Sequence, residues 1–472
     1  MPFDLLAAAR REMMERGFEP DIPPAAQQQA ASLAPSHETG VEDLTALLWS
    51  SIDNDDSRDL DQIEWAEEVS GGIRVLVGIA DVDALVERGT PIDLHAAHDT
   101  TSVYTGVRTF PMLPERLSTD LTSLNEDQVR PAIVIEMVVQ PDGDIASSRV
   151  FRANVRNHAQ LTYSGVGPWL EDAAPAPPKV AVSHELQMQL GLQDEAAHQL
   201  REARDRKGAL TFDRQEATAI VHDGHVKGIE AHRANRASRL IEDFMIGANE
   251  VMARTLRDRG VTSIRRVVKA PERWPRIMEL AEQYGDKLPN EPDAAALNVF
   301  LVARKRKDPD HYPDISLAVL KLMGSGEYVA ARPGDVQAGH FGLAAHDYTH
   351  STAPNRRFAD LVTQRLLKGK AYPDEDLDAI AESCTKMENA ARKVQRDMAK
   401  RIAAVAVQNR IGEEFPAVVT GVMPKGVFVR VANPPMEGRL MRGDHGVDVG
   451  DRIRVRLIAT DPERGFIDFG RS

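Results

Sequence analysis

Ser51-Ile52-Asp53-Asn54-Asp55-Asp56-Ser57-Arg58-Asp59-Leu60-Asp61 sets Asp53, Asp55, Asp59 and Asp61 on an alternating register, with Ser57 in the gap. So many carboxylates in one short stretch repel one another unless a cation joins them. Hard oxygen donors suit Mg²⁺, Mn²⁺ or Ca²⁺ rather than zinc. Asp53, Asp55, Ser57, Asp59, Asp61 and Glu64 also fall on the ligand positions of a helix-flanked calcium loop. The sixth position of such a loop needs glycine for its sharp turn, and here it is Arg58. Downstream, Gly71-Gly-Ile-Arg-Val-Leu-Val-Gly-Ile-Ala-Asp81 is rich in β-branched residues and reads as a strand. The acidic stretch therefore reads as a metal-binding loop between strands, or else as a solvated acidic turn.

Working outward, residues 43–160 read as strands and loops. Ala132–Val139, the turn Pro141-Asp-Gly-Asp144 and Arg149–Val155 form a hairpin signal. A second hairpin is expected over Ile220–Val226. His184–Arg206 reads as an amphipathic helix, and residues 236–404 as largely helical. Asp376–Asn409 holds neither Pro nor Gly and suggests one long helix or two in sequence. Strands first and helices later imply an α+β domain. From Gly412 onward, five short apolar runs over about 60 residues suit a small β-barrel of the OB class. Ahead of all this, Leu5, Leu6, Ala9 and Met13 lie at helical spacing, and Pro20, Pro23 and Pro24 break that helix. Residues 1–42 are expected to be a small helical segment, either helix-turn-helix-like or a flexible arm. Residues 43–405 are expected to form this α+β domain and 406–472 the barrel.

The 472 residues are 42% hydrophobic and 28% charged, as in ordinary globular proteins, with a formal net charge of -14. A nucleic-acid partner would have to be held by local basic patches. Candidates are Arg392, Lys393, Arg396, Lys400 and Arg401; Arg304–Lys307; and Arg265, Arg266 and Lys269. The single Cys384 excludes an internal disulfide framework and a four-cysteine zinc site. No apolar run approaches membrane-spanning length, and the N-terminus lacks the order of a signal peptide. A cytoplasmic location is the default expectation.

No phosphate-binding Gly-x-x-x-x-Gly-Lys loop, nucleophile elbow or zinc signature occurs. A second candidate cluster lies in His340–Asp360. Pro354 marks a helix start, which places Arg356 and Arg357 in the first turn. Cations oppose the helix dipole there unless an anion joins them, and phosphate is the natural one. The competing reading is an arginine pair salt-bridged to Asp360 or another acid.

Besides the acidic stretch, Tyr104–Ser118, Leu121–Leu124 with Arg130, Leu240–Asn249 and Thr352–Val362 occur in the order found in the ribonuclease II / ribonuclease R family. Residues 43–405 resemble its catalytic domain, called RNB. The C-terminal part resembles the ribosomal-protein-S-one type of OB domain that follows it. The resemblance implies a Mg²⁺-dependent exoribonuclease, with Mn²⁺ as the alternative ion. It would degrade single-stranded RNA from the 3′ end to nucleoside 5′-monophosphates. Asp53, Asp59 and Asp61 match metal-binding aspartates, and Asp61 the one most critical for cleavage. Arg356 matches the arginine that stabilises charge on the phosphorane. Tyr104 matches an aromatic that stacks on a base, and Arg357 is the second arginine expected to bind substrate. A monomer acting on the 3′ end in a channel is implied, with no DNA substrate and no membrane.

The chain departs from the family pattern in three places. The fourth aspartate is replaced by Gln62, whose oxygen is neutral, and Asp55 or Asp56 is the candidate to compensate. Residues 1–42 are too short for the family's paired cold-shock domains, so the catalytic channel and the barrel are expected to grip RNA. The second base-clamping aromatic falls near Ala219. The alternative function is an RNA-binding or regulatory protein that keeps this fold with weak or no turnover, and Gln62 motivates it.

Overall fold

The computed structural model describes residues 3–472 except 213–215, 223–224, 233, 310–311, 336–338 and 425. Its architecture is α+β, with a barrel at the C-terminal end.

Helices α1 (Leu5–Glu15) and α2 (Pro24–Ser32) come first. Asp4 caps α1 by accepting from the Ala7 N–H. A curled six-stranded sheet follows: β1 (Glu42–Asp43), β2 (Trp49–Asp53), β3 (Gln62–Val69), β4 (Gly72–Ala80), β5 (Val129–Val139) and β6 (Ile145–Thr162). The strand order is β1-β6-β2-β3-β4-β5. The first part of the 18-residue β6 pairs antiparallel with β5, and its last six residues run parallel to β2. The sheet thus closes on itself around Trp49, Ile52, Ile63, Leu76, Ile79 and Ile135. The acidic stretch is the loop from β2 to β3, with strands on both sides and no helix, which removes the calcium-loop reading. The β5–β6 turn falls at Asp142–Asp144 as its composition predicts. Gly143 there has φ +79, and a Cβ on it would lie 2.0 Å from the Gln199 carbonyl oxygen. Only glycine lets this turn seat on the neighbouring helix.

That helix is α3 (His184–Arg206), capped by Ser183. It packs beside α4 (Arg236–Asp258), which opens with a capping box at Asn235. Where a hairpin was expected near Ile220–Val226, strands Glu216–His222 and His225–His232 pair antiparallel, and the two turn residues between them lie outside the described residues. A satellite core of Trp274, Ile277, Leu297, Phe300, Tyr312 and Ile315 sits under the helical stretch that follows. Then come α5 (Phe358–Leu367) and the single 34-residue α6 (Asp374–Val407). Along α6, Met387, Ala391, Val394 and Met398 bury the apolar face of α1. Ala26 and Ala30 of α2 belong to the main core instead.

The barrel strands are β7 (Glu414–Met423), β8 (Gly426–Val431), β9 (Met436–Arg442), β10 (Arg452–Asp461) and β11 (Phe466–Arg471), closed in the order β7-β8-β9-β11-β10. Ala404 and Val407, at the end of α6, enter the barrel core. The β10–β11 turn rests on α6. A Cβ on Gly465 (φ +68) would lie 2.8 Å from the Lys400 Cβ and 3.1 Å from the Arg401 nitrogen.

Candidate active site

Asp61 leaves the acidic loop at the start of β3 and is buried, at 3% exposure. Its Oδ1 accepts from the Asn355 N–H at 3.0 Å, and its Oδ2 lies 3.6 Å from the Arg356 Nε. These partners come from nearly 300 residues away, so the fold must bring them in. Asn355 is held in turn by Thr122, whose hydroxyl donates to its Oδ1 at 2.6 Å. The loop backbone is pinned by Ser123, whose Oγ accepts from the Leu60 N–H at 2.9 Å and donates to the Arg58 carbonyl at 2.9 Å. From α4, Asn249 Oδ1 accepts from the Ser351 N–H at 2.8 Å and from its hydroxyl at 2.9 Å. The motif stretches around positions 61, 122, 249 and 355 thus form one hydrogen-bonded assembly. Thr122, Ser123, Asn249 and Asn355 were not singled out from sequence as site residues. Their only signal was membership of those stretches.

Tyr104 arrives by backbone pairing. Ser102 N–H donates to the Arg356 carbonyl, Phe358 N–H donates to the Thr100 carbonyl, and Thr101 bridges Arg357. This ladder places the Tyr104 ring, 38% exposed, where its hydroxyl donates to Asp59 Oδ2 at 3.3 Å. Tyr104, Arg356 and Arg357 line one cavity of about 200 Å³ with Tyr328, His350 and residues of α6.

The electrostatics are lopsided. Burial pushes the Asp61 carboxyl up to about 7; Arg356 and the Asn355 N–H pull it down, while Asp59 and Asp360 push it further up. Burial also raises Asp53, with Asp59 adding to it against the Asn54 N–H, Ser57 and Arg356. Asp53 Oδ1 accepts from Asn54 N–H at 2.7 Å and Ser57 hydroxyl at 3.0 Å. Carboxylates held this way gain from a cation. Hard oxygen donors fit Mg²⁺ or Mn²⁺. Among the described residues no three carboxylates, histidines or thiols converge into one ligand set. The donors therefore suit an ion completed by water and phosphate oxygens, as Mg²⁺ prefers.

The two arginines differ from the sequence expectation. Neither lies in the first turn of α5: Arg357 is the N-cap, in extended conformation, because it bridges Thr101. Its guanidinium makes a forked contact with buried Asp360, Nε at 2.9 Å and a terminal nitrogen at 2.7 Å. Arg356 has no such fork and its side chain is 44% exposed. The competing salt-bridge reading thus holds in full for Arg357, while Arg356 pairs only loosely, with Asp61 at 3.6 Å.

The basic runs also sort unevenly. Arg265 and Arg266 are buried, and Arg266 pairs with Glu388 at 2.7 Å. Arg304 is buried against Asp286 at 3.1 Å. Arg401 pairs with Glu12 at 2.8 Å. Lys393, Arg396 and Lys400 stay exposed on α6, and Arg392 lines the cavity while pairing with Glu388. Ala219, where the second aromatic was expected, stands opposite Ile229 in the 216–232 hairpin. The side chains there lie outside the described residues.

An RNB domain model matches residues 41–371, and an RNase II-type exonuclease C-terminal S1 domain model matches 413–472. The chain belongs to the RNB family. Ribonuclease R 1 of Lactococcus lactis is 30% identical over 461 residues, covering 89% of this chain and 55% of the relative. Ribonuclease R of Escherichia coli is 29% identical over 502 residues, covering 95% and 60%. This RNB chain therefore spans a little over half the length of those relatives. Among solved structures, Mycoplasma genitalium RNase R in complex with ribose methylated single-stranded RNA superposes with a TM-score of 0.89 at 22% identity, covering 99% of this chain and 78% of that one. Yeast Ssd1, a pseudonuclease, superposes at 0.74 with 17% identity, covering 92% and 55%. The RNB fold accommodates a protein described as a pseudonuclease as well as nucleases. Among the described residues no helix is long and apolar enough to cross a membrane.

Proposed function

We propose that this protein is a hydrolytic exoribonuclease that takes the 3′ end of single-stranded RNA and releases nucleoside 5′-monophosphates. One observation carries the reading. A buried, under-neutralised Asp61 faces Arg356 at 3.6 Å, beside an exposed tyrosine at a cavity mouth. A site of that make-up attracts a cation and a phosphate together.

Asp53, Asp59 and Asp61 would supply the carboxylate donors for Mg²⁺ or Mn²⁺, no three of them on one ion, with Gln62 offering a neutral oxygen and water and phosphate completing the shell. The chemistry that such an ion would supply is polarisation of the scissile phosphate and a lower pKa for the attacking water. Asp61 orients that water, since its carboxylate is fixed by the Asn355 N–H. Arg356, unforked and half-exposed, is free to meet the charge that grows on the phosphate oxygens. Tyr104 stacks on a base, which tolerates any sequence because every base has a π-face. Arg357, tied to Asp360, keeps the cavity wall in place and presents charge to the RNA. Lys393, Arg396 and Lys400 on α6, with the barrel at its end, supply the sequence-independent grip.

The second reading, an RNA binder without turnover, rests on Gln62 and on the likeness to a pseudonuclease. Single-stranded RNA labelled at the 5′ end and incubated with Mg²⁺ separates the two. A ladder shortening from the 3′ end supports the enzyme. A gel shift without shortening supports the binder.

A further inference from the structure

Gln62 removes one negative charge from the acidic motif, and Asp55 or Asp56 was the expected replacement. Both are exposed, and Asp55 accepts from the Ser164 hydroxyl at 2.5 Å. Another carboxylate lies closer to the sheet. Glu64 stands two residues beyond Gln62, on the same face of β3, because strand side chains alternate. It is 0% exposed. Neither carboxylate oxygen has a hydrogen-bond partner among the described residues. The Ser50 hydroxyl, on the residue directly across the β2–β3 pair, and Gln193 Oε1 are buried and unpartnered too. The Gln193 side-chain amide donates to the Glu64 backbone carbonyl, at 3.5 Å. Burial raises the Glu64 carboxyl well above the usual range, and the nearby carboxylate of Asp53 pushes it the same way.

A buried carboxylate with no partner is costly, and a chain keeps one where something absent from the protein alone completes it. Two residues along a strand is about 6.6 Å. Glutamate reaches one methylene further than aspartate, which makes up part of that distance. We propose that Glu64 supplies the carboxylate that Gln62 lacks, binding the same divalent cation as Asp53 from the same strand face as Gln62. Asp53 then keeps a second carboxylate beside it, shifted by two positions along β3, and water and phosphate oxygens complete the shell. This rests on the metal-dependent reading above.

The test needs no RNA and no turnover. Free Mn²⁺ is measured by electron paramagnetic resonance during titration of the full-length protein. Glu64→Gln keeps size and shape and should weaken Mn²⁺ binding roughly 10–100-fold. Adding Gln62→Asp to that variant should restore most of the affinity. Gln62→Asp alone should tighten binding little, because the charge is already present. Unchanged affinity in a folded Glu64→Gln protein would overturn the proposal and make Glu64 a protonated core group. If Glu64→Gln does not fold, the single Gln62→Asp variant decides. A gain of about tenfold or more there would mean the wild-type site is short of a carboxylate. No Mn²⁺ binding by the wild type would overturn the metal reading and this proposal together.

Discussion

Helix α5 has buried aspartates at both ends; at the N-terminal end Asp360 is forked by Arg357, but Asp61 is treated in the opposite way to the aspartates at the C-terminal end. At the C-terminal end, Asp81, Asp83 and Asp93 meet cations at contact distance. Arg365 lies 3.1 Å from Asp83 and 2.7 Å from Asp93, Lys368 lies 2.6 Å from Asp81, and Lys370 lies 2.8 Å from Asp83. Burial raises Asp81, but Lys368 pulls it back by both charge and hydrogen bond. At the N-terminal end, Asp61 has one backbone N–H and an arginine at 3.6 Å. Both ends border the same β3–β4 hairpin, where the Ala80 N–H donates to the Asp61 carbonyl. The first cluster is complete within the protein. Asp61 is left only partly compensated next to a cavity, as a site that takes a cation and a phosphate must be. Burial of charge alone does not separate structural from functional clusters; the pairing within each does.

The contrast can be broken most forcefully at the structural end. Arg365→Met should strip Asp83 and Asp93 of their buried partner and cost roughly 3–5 kcal/mol of stability. Chemical denaturation reads this directly. A near-neutral result would mean the cluster is not held by that arginine. At the functional end, Arg356→Lys keeps charge but loses the planar fork. Turnover should fall roughly 10²–10³-fold, while RNA affinity stays within about fivefold, as for an exposed ion pair. Equal losses would assign Arg356 to plain binding. Smaller still, Tyr104→Ala removes a stack of roughly 1–3 kcal/mol per base. The short end product should change length while the initial rate on long RNA drops little. An unchanged end product would make Tyr104 a packing residue.

Local chemistry was legible in the sequence where it decided the structure locally. The hairpin turn at 141–144, the helix His184–Arg206, the uninterrupted α6 and the five barrel strands follow from turn residues, periodicity and the absence of breakers. Contacts between distant segments were not legible. Arg357 was expected inside a helix, yet its pairing with Thr101, more than 250 residues away in sequence, holds it extended. Arg266 and Arg304 looked like surface charge until Glu388 and Asp286 were seen to bury them. Glu64 read only as the last ligand position of a calcium loop that the fold removes, because nothing local announces that a buried carboxylate has no partner. Asp61, Arg356 and Tyr104, chosen by resemblance, are brought together by the fold. Thr122 and Asn355, which hold that arrangement, became visible only in three dimensions.

The central claim is that the partly compensated charge at Asp61 serves cleavage and not folding. Asp61→Asn, assayed with 5′-labelled single-stranded RNA and Mg²⁺ alongside a binding titration and a melting curve, tests it most directly. The expected result is cleavage reduced at least 10²–10³-fold, the scale of one lost transition-state contact. RNA affinity should be equal or tighter because repulsion of phosphate falls, and melting should be no lower than in the wild type. Cleavage above about a tenth of the wild-type rate, or a marked fall in stability, would contradict the account and place Asp61 with the structural aspartates at the other end of α5.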